Sequence, residues 1–382
     1  NRQAARLRKP GKVPAMTPLA QKIVNLIQQA GPLRVSDYFA LCLADPDHGY
    51  YQNREPFGQA GDFITAPEIS QLFGEMIGIF LVQAWQAQGS PDNVRIVEIG
   101  PGRGTLMADM LRTLRRAAPA CLASASIHLV ETSETLAAIQ AETLSRFDLP
   151  VRRHRRIAEL PPGPAVIVAN ELFDALAIRQ FVFDGEAFRE RCVGLSEAGK
   201  LEFVLCERTG GQPPAGALPH PPAAGAVLEA SPERAALAAS LADLLATEGG
   251  AGLFIDYGHA ASAFGDTLQA MRAHAYADPL DRPGEADLTS HVDFAALSEI
   301  FSRRGLAVSP IVEQGDFLLS LGLLQRAGRL GAALDEKGRA DIERAVARLA
   351  GRGAGEMGAL FKVLAVATMP IPLPPFSAAA SD

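Results

Sequence analysis

Hydrophobic and polar positions along this chain follow two rhythms in turn. Leu19, Ile23, Leu26 and Ile27 share one face at helical spacing, which predicts a helix over 18–30. A shorter helix fits 36–44. Phe73, Ile77, Phe80, Leu81 and Trp85 repeat the helical spacing, and Thr65 or Ala66 followed by Pro67 reads as the start of one long helix. From Val94 the rhythm changes. Short apolar runs at 94–99, 126–131, 151–157, 165–169 and 253–257 read as strands, buried on both faces where they are continuous. Helical patterns at 104–116, 134–146 and 232–247 lie between them. This βαβα alternation predicts a parallel sheet covered by helices on both sides.

Two stretches interrupt the alternation. Gln180–Phe183, Phe188–Val193 and Leu201–Leu205 alternate apolar with polar and are joined by the turn signals Asp184-Gly185 and Glu197-Ala198-Gly199. They predict a small antiparallel insert, followed by a Pro/Gly/Ala-rich surface linker over 209–226. The second stretch, 262–293, is polar and turn-rich, and is too long for a simple connection; it reads as a functional loop or lid. Helices at 293–304, 316–329 and 335–350, a strand near 307–312 and a last strand at 361–366 complete the fold. The tail from Pro370 is not expected to fold alone. The chain thus divides into a helical region with a covering loop (1–90), a first part of the core (91–178) and the insert with its linker (179–226). A second part of the core with a long loop at 258–293 (227–313) follows, and then C-terminal helices, a last strand and a disordered tail (314–382).

The chemistry concentrates at strand ends. Ile96-Val97-Glu98-Ile99 runs straight into Gly100, Gly102 and Gly104 and then into a helix. Glycines here let the backbone turn tightly and approach a ligand closely. No lysine follows to make a phosphate-cradling P-loop, and the spacing is one residue tighter than the Gly-x-Gly-x-x-Gly of dinucleotide sites. Glu98 places a carboxylate under the loop, which suits the cationic end of a ligand. Glu131, ending the next strand, either accepts ribose hydroxyls or opens the helix that begins after Ser133. In an open α/β sheet the ligand lies beyond the carboxyl ends of the strands, so Asn170, Glu171 and Asp174 also face the candidate site. Asn170 offers an amide to cofactor or acceptor. Glu171 and Asp174, three apart, share a face if they lie on a helical turn, where they can hold a guanidinium or amine and take its proton; alternatively Asp174 caps a helix and Glu171 is solvated. His291, Asp256-Tyr257 and Thr65-Ala66-Pro67-Glu68 are further candidates. A loop histidine taken alone more often has no function, Asp256-Tyr257 is open between packing and contact, and Thr65–Glu68 either covers the cofactor or is an ordinary helix start.

Composition narrows the classes. A net charge of −7 argues against non-specific nucleic-acid binding. No apolar run reaches the roughly 18 residues that span a bilayer, so no membrane insertion is expected. Cys42, Cys121, Cys192 and Cys206 are scattered without a Cys-x-x-Cys pair and read as reduced small hydrophobes. The histidines lack ligand spacing, so no metal is expected. The acid-free lead carrying Arg2, Arg6, Arg8, Lys9 and Lys12 reads as a disordered terminus or a targeting remnant.

The segments 61–70, 98–105, 170–176, 255–258 and 284–293 together resemble five blocks of one family. It is the S-adenosylmethionine (SAM) dependent methyltransferase family that contains the mitochondrial complex I assembly protein arginine methyltransferase and its bacterial relatives. The resemblance spans about residues 16–368. It implies an α/β fold, with a class I, Rossmann-like methyltransferase core, a helical N-terminal region, the small antiparallel insert and a helical C-terminal addition. SAM is then the methyl donor, and Glu98, Gly100, Gly102, Gly104, Glu131, Asn170 and Thr65 are its candidate contacts. Glu171, Asp174 and His291 are the catalytic candidates. The implied reaction is methyl transfer to an arginine nitrogen of a protein, in the mitochondrial members a complex I subunit. Two features depart from the family pattern: Leu172 stands where the block usually carries Phe, and the 209–226 stretch has no counterpart in it. Other readings remain: a SAM-binding assembly factor without essential turnover, or a small-molecule methyltransferase. Composition suggests a bacterial, cytoplasmic chain; a eukaryotic one would belong in the mitochondrial matrix. The N-terminal apolar helices could form a homodimer face or a cap.

Overall fold

The computed structural model describes residues 16–50, 65–206, 220–272, 274–372 and 375–376. The basic lead, the loop preceding Thr65 and most of the Pro-rich linker lie outside the described residues. The central sheet runs in the order Ala307–Val308, Phe361–Ala367, Gly250–His259, Ala165–Asn170, Arg95–Ile99, Ser126–Val130, Val151–His154. From Gly250–His259 to Val151–His154 all neighbours are parallel, while Phe361–Ala367 pairs antiparallel with Gly250–His259. The chain moves outward from Arg95–Ile99 through two strands and then returns to its other side, so the strand order reverses at Arg95–Ile99. That is where an open α/β sheet leaves a crevice.

Alternation along the strands builds two cores. Ile96, Val166 and Val168 face the helix Gln71–Ala87, the helix Thr105–Ala117 and the C-terminal helices. Val97, Ile99, Ile167 and Ala169 face Phe173, Phe254, Phe294 and the helix Pro232–Glu248. Strands buried on both faces are mostly apolar. Arg95–Ile99 is buried throughout with two charged exceptions, Arg95, which donates to Pro161 O and Gly163 O, and Glu98. A third core joins the N-terminal helices to the insert: Leu19, Ile23, Tyr38 and Phe39 pack with Ile178, Val193 and Leu288. Leu33 pairs with Val193 in the insert sheet, so residues far apart in the chain share one layer.

Several expectations change. The single helix from Thr65 is two, Ala66–Ile69 and Gln71–Ala87, because Ser70 is extended and its side chain accepts from Leu72 N. The helix over 316–329 divides at Gly322, and the strand near 307–312 divides at Pro310. The stretch 262–293, expected as a loop or lid, carries a three-stranded sheet of Ala275–Ala277, Gln269–Arg272 and Asp287–Thr289. Part of the tail is ordered, since Ile371 and Phe376 are buried and Phe376 packs against Phe80 and Phe317.

The cysteine reading also needs correction. Cys42 and Cys121 are free and buried, but Cys192 and Cys206 form a disulfide, with Cα atoms 6.0 Å apart. Cys192 lies opposite Val204 in the ladder, which puts Cys206 at the diagonal position beyond it. A hairpin created that proximity, and no Cys-x-x-Cys spacing could reveal it.

Candidate active site

The glycine loop takes the shape its composition allows. Gly100, Gly102 and Gly104 have φ of +67°, +52° and +81°, a region costly for residues with a Cβ. At Gly100 a Cβ would also stand 2.9 Å from Leu172 Cδ1, a side-chain end that can move, so it is the backbone conformation that demands glycine. Beneath the loop Glu98 is buried, and its Oε2 has no hydrogen-bond partner among the described residues. Burial, with the Glu131 charge adding to it, pushes the Glu98 carboxyl up to about 8. A buried acid under a glycine loop, with one oxygen unpaired among the described residues, is what a cationic ligand group would satisfy.

Glu131 follows the Ser126–Val130 strand. Its Oε1 accepts from Ser133 N at 2.8 Å and its Oε2 from Gln140 Nε2 at 3.1 Å. Gln140 also donates to Gly102 O at 2.8 Å, tying the second strand end to the glycine loop. Its position mid-helix gave no sign of this role beyond an inward-facing polar residue.

From the N-terminal side, Ala66 N donates to Glu171 Oε1 at 3.0 Å, and Thr105 Oγ1 donates to Glu68 Oε1 at 2.6 Å. The Thr65–Glu68 segment therefore clasps both strand ends. Thr65, Glu68, Glu98, Gly100, Asn170 and Glu171 line a small cavity of about 50 Å³. A larger one of about 700 Å³ opens beside it, walled by Gly102, Glu131, Ile157, Glu171, Leu172 and Leu244 among others. Gly100, Gly102 and Glu171 line both. An elongated ligand with an apolar, nucleoside-sized body and a charged end fits the pair, the body in the larger space and the charge near Glu98.

Glu171 is half-buried, with φ of +51°, a conformation that costs a non-glycine residue of order 1–3 kcal/mol unless its surroundings enforce it. Asn170 Nδ2 donates to its Oε1 at 2.9 Å. Burial, and then the Asp174 charge, raise its carboxyl to about 7. The segment after it is not the helical turn expected from the sequence. It folds onto Asp256, whose Oδ2 accepts from Leu172 N, Phe173 N and Asp174 N at 3.1, 2.8 and 3.2 Å.

Consequently Glu171 and Asp174 do not share a face. Asp174 is buried, lines neither cavity, and has an Oδ1 with no partner among the described residues. Burial raises its carboxyl to about 6 against the lowering effect of Arg234. Nor does His291 reach the cavities. Its N–H donates to Thr267 Oγ1 at 2.9 Å, its ring packs edge-on against Tyr257 with centroids 5.3 Å apart, and burial depresses its basicity. Sequence reasoning missed Gln140, Arg234 and the capping function of Asp256, because each acts through contacts distant in the chain.

Comparison with known proteins places this geometry. Residues 76–312 match the model of a family of S-adenosyl-L-methionine-dependent methyltransferases. The mitochondrial protein arginine methyltransferase NDUFAF7 of Rattus norvegicus is 34% identical over 356 residues, covering 87% of this chain and 80% of its own. Its Drosophila melanogaster homolog is 36% identical over 331 residues, covering 78% and 74%. Among solved structures, a superfamily member from Burkholderia thailandensis bound to S-adenosyl-homocysteine superposes with a TM-score of 0.77 at 29% identity, covering 93% of this chain and 95% of that one. The glycine cradle, the orphaned Glu98 and the paired cavities fit the same cofactor, and with the family model spanning more than half its length this chain belongs to the SAM-dependent methyltransferases.

Proposed function

We propose that this methyltransferase acts on arginine nitrogens of a protein substrate. The observation that carries the proposal is Glu171, a carboxylate on the wall shared by the two cavities and held in an otherwise unfavourable backbone conformation. Only its Oε1 carries hydrogen bonds among the described residues, from Ala66 N and Asn170 Nδ2. Its Oε2 is the oxygen the proposal assigns to an incoming N–H donor. A guanidinium offers that donor in a planar fork and keeps its charge at any ordinary pH.

When bound, SAM supplies an electrophilic methyl group on a sulfonium. Gly100, Gly102 and Gly104 would leave room for it, Glu98 would meet its cationic end, and Glu131 with Gln140 would stand at the ribose. Glu171 orients the guanidinium, and its Oε2 accepts the proton that the methylated nitrogen gives up, which it then returns to solvent. The arginine methyltransferase names of the rat and fly relatives support this substrate class. Among the described residues no helix is long and apolar enough to cross a membrane. The proposal places the chain in a bacterial cytoplasm, or in the mitochondrial matrix if it is eukaryotic; the relatives named are mitochondrial.

The test is transfer of label from methyl-labelled SAM into a cell extract, followed by hydrolysis and amino-acid analysis. Label is expected in methylated arginine, and its rate of incorporation should fall about 10²–10⁴-fold in Glu171→Gln. Label confined to small molecules would overturn the substrate class, and absence of label under saturating SAM would favour a binding role without turnover.

A further inference from the structure

The turn that carries Glu171 is gripped from two sides by buried polar side chains. On its N–H side Asp256 collects three successive amides, and its other oxygen accepts from Tyr257 N at 2.9 Å. On its carbonyl side stands Arg234, in the first turn of the helix Pro232–Glu248. Its Nε donates to Phe173 O at 2.7 Å and its Nη2 to Asp174 O at 3.2 Å. Nη1 donates to His291 O at 2.7 Å, and Nη2 also stands 3.1 Å from Ser290 O and 2.6 Å from Ser290 Oγ.

This placement of an arginine is unfavourable on its own terms. The guanidinium is removed from water, and it belongs to the N-terminal turn of a helix, where the backbone dipole opposes a cation. Its hydrogen bonds go to four carbonyls and one hydroxyl, not to a carboxylate. What compensates is the set of hydrogen bonds on both sides of the turn, with the carboxyls of Asp256, Asp174 and Glu229 nearby. Burial, and then Asp174 and Glu171, raise the Asp256 carboxyl well above the usual carboxylate range. The grip therefore rests on Asp256 accepting the amides and Arg234 donating to the carbonyls. The arrangement has a definite output. It fixes the first residues after the Ala165–Asn170 strand, and so forces Glu171 to leave that strand at φ +51° with its carboxylate on the cavity wall.

We infer that Arg234 and Asp256 are positioning residues for methyl transfer. Neither lines either cavity, so neither touches cofactor or acceptor; both act by holding Glu171 where the acceptor nitrogen arrives. The inference rests on the reading of Glu171 given above. Since a displacement near 1 Å can cost about a hundredfold in rate, loosening either grip lowers turnover while leaving the glycine cradle intact.

The experiment compares Arg234→Lys, Asp256→Asn and Glu171→Gln in the full chain, singly and with each clamp variant combined with Glu171→Gln. For Arg234→Lys, kcat is expected to fall roughly ten- to hundredfold, with the KM for the protein acceptor and the affinity for S-adenosyl-homocysteine within about twofold of the parent. In the Glu171→Gln background the same substitution should remove less than about a further twofold, because its effect passes through Glu171. An equal fold loss in both backgrounds, or unchanged kcat in Arg234→Lys, would overturn the assignment. Amide hydrogen exchange supplies a readout independent of turnover. Leu172, Phe173 and Asp174 should exchange faster in Asp256→Asn, while the Arg95–Ile99 amides keep their protection; unchanged exchange at the three amides would overturn the clamp. Should Glu171→Gln alone leave transfer intact, the Glu171 reading fails, and the exchange rates still decide whether the turn is clamped.

Discussion

The glycine loop and the Glu171 turn leave neighbouring parallel strands, Arg95–Ile99 and Ala165–Asn170, at the same edge of the sheet. Both put residues at positive φ beside the same cavities. They get there by opposite routes. The loop uses residues that adopt the conformation freely, so its shape is written in its own five positions. The turn uses a glutamate that resists the conformation, and borrows its shape from Asp256 and Arg234, 82 to 84 and 60 to 61 residues away along the chain. The loop is thus a passive cradle that needs little support, whereas the turn, proposed above to carry the proton acceptor, is a strained segment that depends on the surrounding fold. A cradle must only make room; a proton acceptor must be aimed.

The sharpest way to separate the two regions is to remove function from one without touching the other. Glu171→Gln keeps the shape of the turn but removes the charge, and should lower kcat by about 10²–10⁴-fold, the usual range for a positioned acid–base group. Calorimetry with S-adenosyl-homocysteine should show no change. Weakened cofactor binding in this variant would mean that the turn belongs to the cradle after all. The converse is Gly100→Val. Its side chain meets both the positive φ and Leu172 Cδ1, and the combined strain of a few kcal/mol predicts at least about a hundredfold loss of cofactor affinity. Tight binding by Gly100→Val would show that the loop gives way more easily than its geometry implies.

The pH profile sharpens the contrast further. Burial raises the Glu171 carboxyl to about 7 in the free enzyme. Since only the ionised form pairs with a guanidinium and accepts its proton, kcat/KM should rise about tenfold per pH unit below 7 and level off above it. In Glu171→Gln that limb should disappear from the residual activity. A limb that persists there belongs to another group.

The same contrast explains how far the sequence could be read. The alternation of apolar runs identified the parallel sheet, and the tight Gly100-Gly102-Gly104 spacing with Glu98 separated this cofactor from dinucleotides, because those signals are local. The pairing of Glu171 with Asp174 on one helical turn does not form because Glu171 sits at φ +51°, outside the helical region, and the amides of 172–174 converge on Asp256, from a strand distant in the chain. His291 looked like a candidate because loops carry function, yet its backbone is held by Thr267 and Arg234 and its ring belongs to Tyr257. Cys192 and Cys206 became partners only once a hairpin had formed.

The smallest expected effect concerns stability and tests the cradle at its base. An unfolded chain ionises Glu98 near about 4.3, whereas the folded chain holds the proton up to about 8, mainly because of burial. Between those values the unfolded state has lost a proton that the folded state still binds, so this residue's contribution makes folding less favourable as pH rises and levels off above about 8. Glu98→Gln cannot ionise and escapes that penalty. Ligand-free melting curves of the two proteins should therefore coincide near pH 4 and separate through the window to pH 8, with the variant melting a few degrees higher at the alkaline end. The order should reverse under saturating SAM, because a neutral amide cannot match the carboxylate's attraction for a cationic group. An acid that costs stability in the free protein and attracts a cationic ligand group requires both halves of that result; parallel melting curves across the window would show that burying Glu98 carries no such cost.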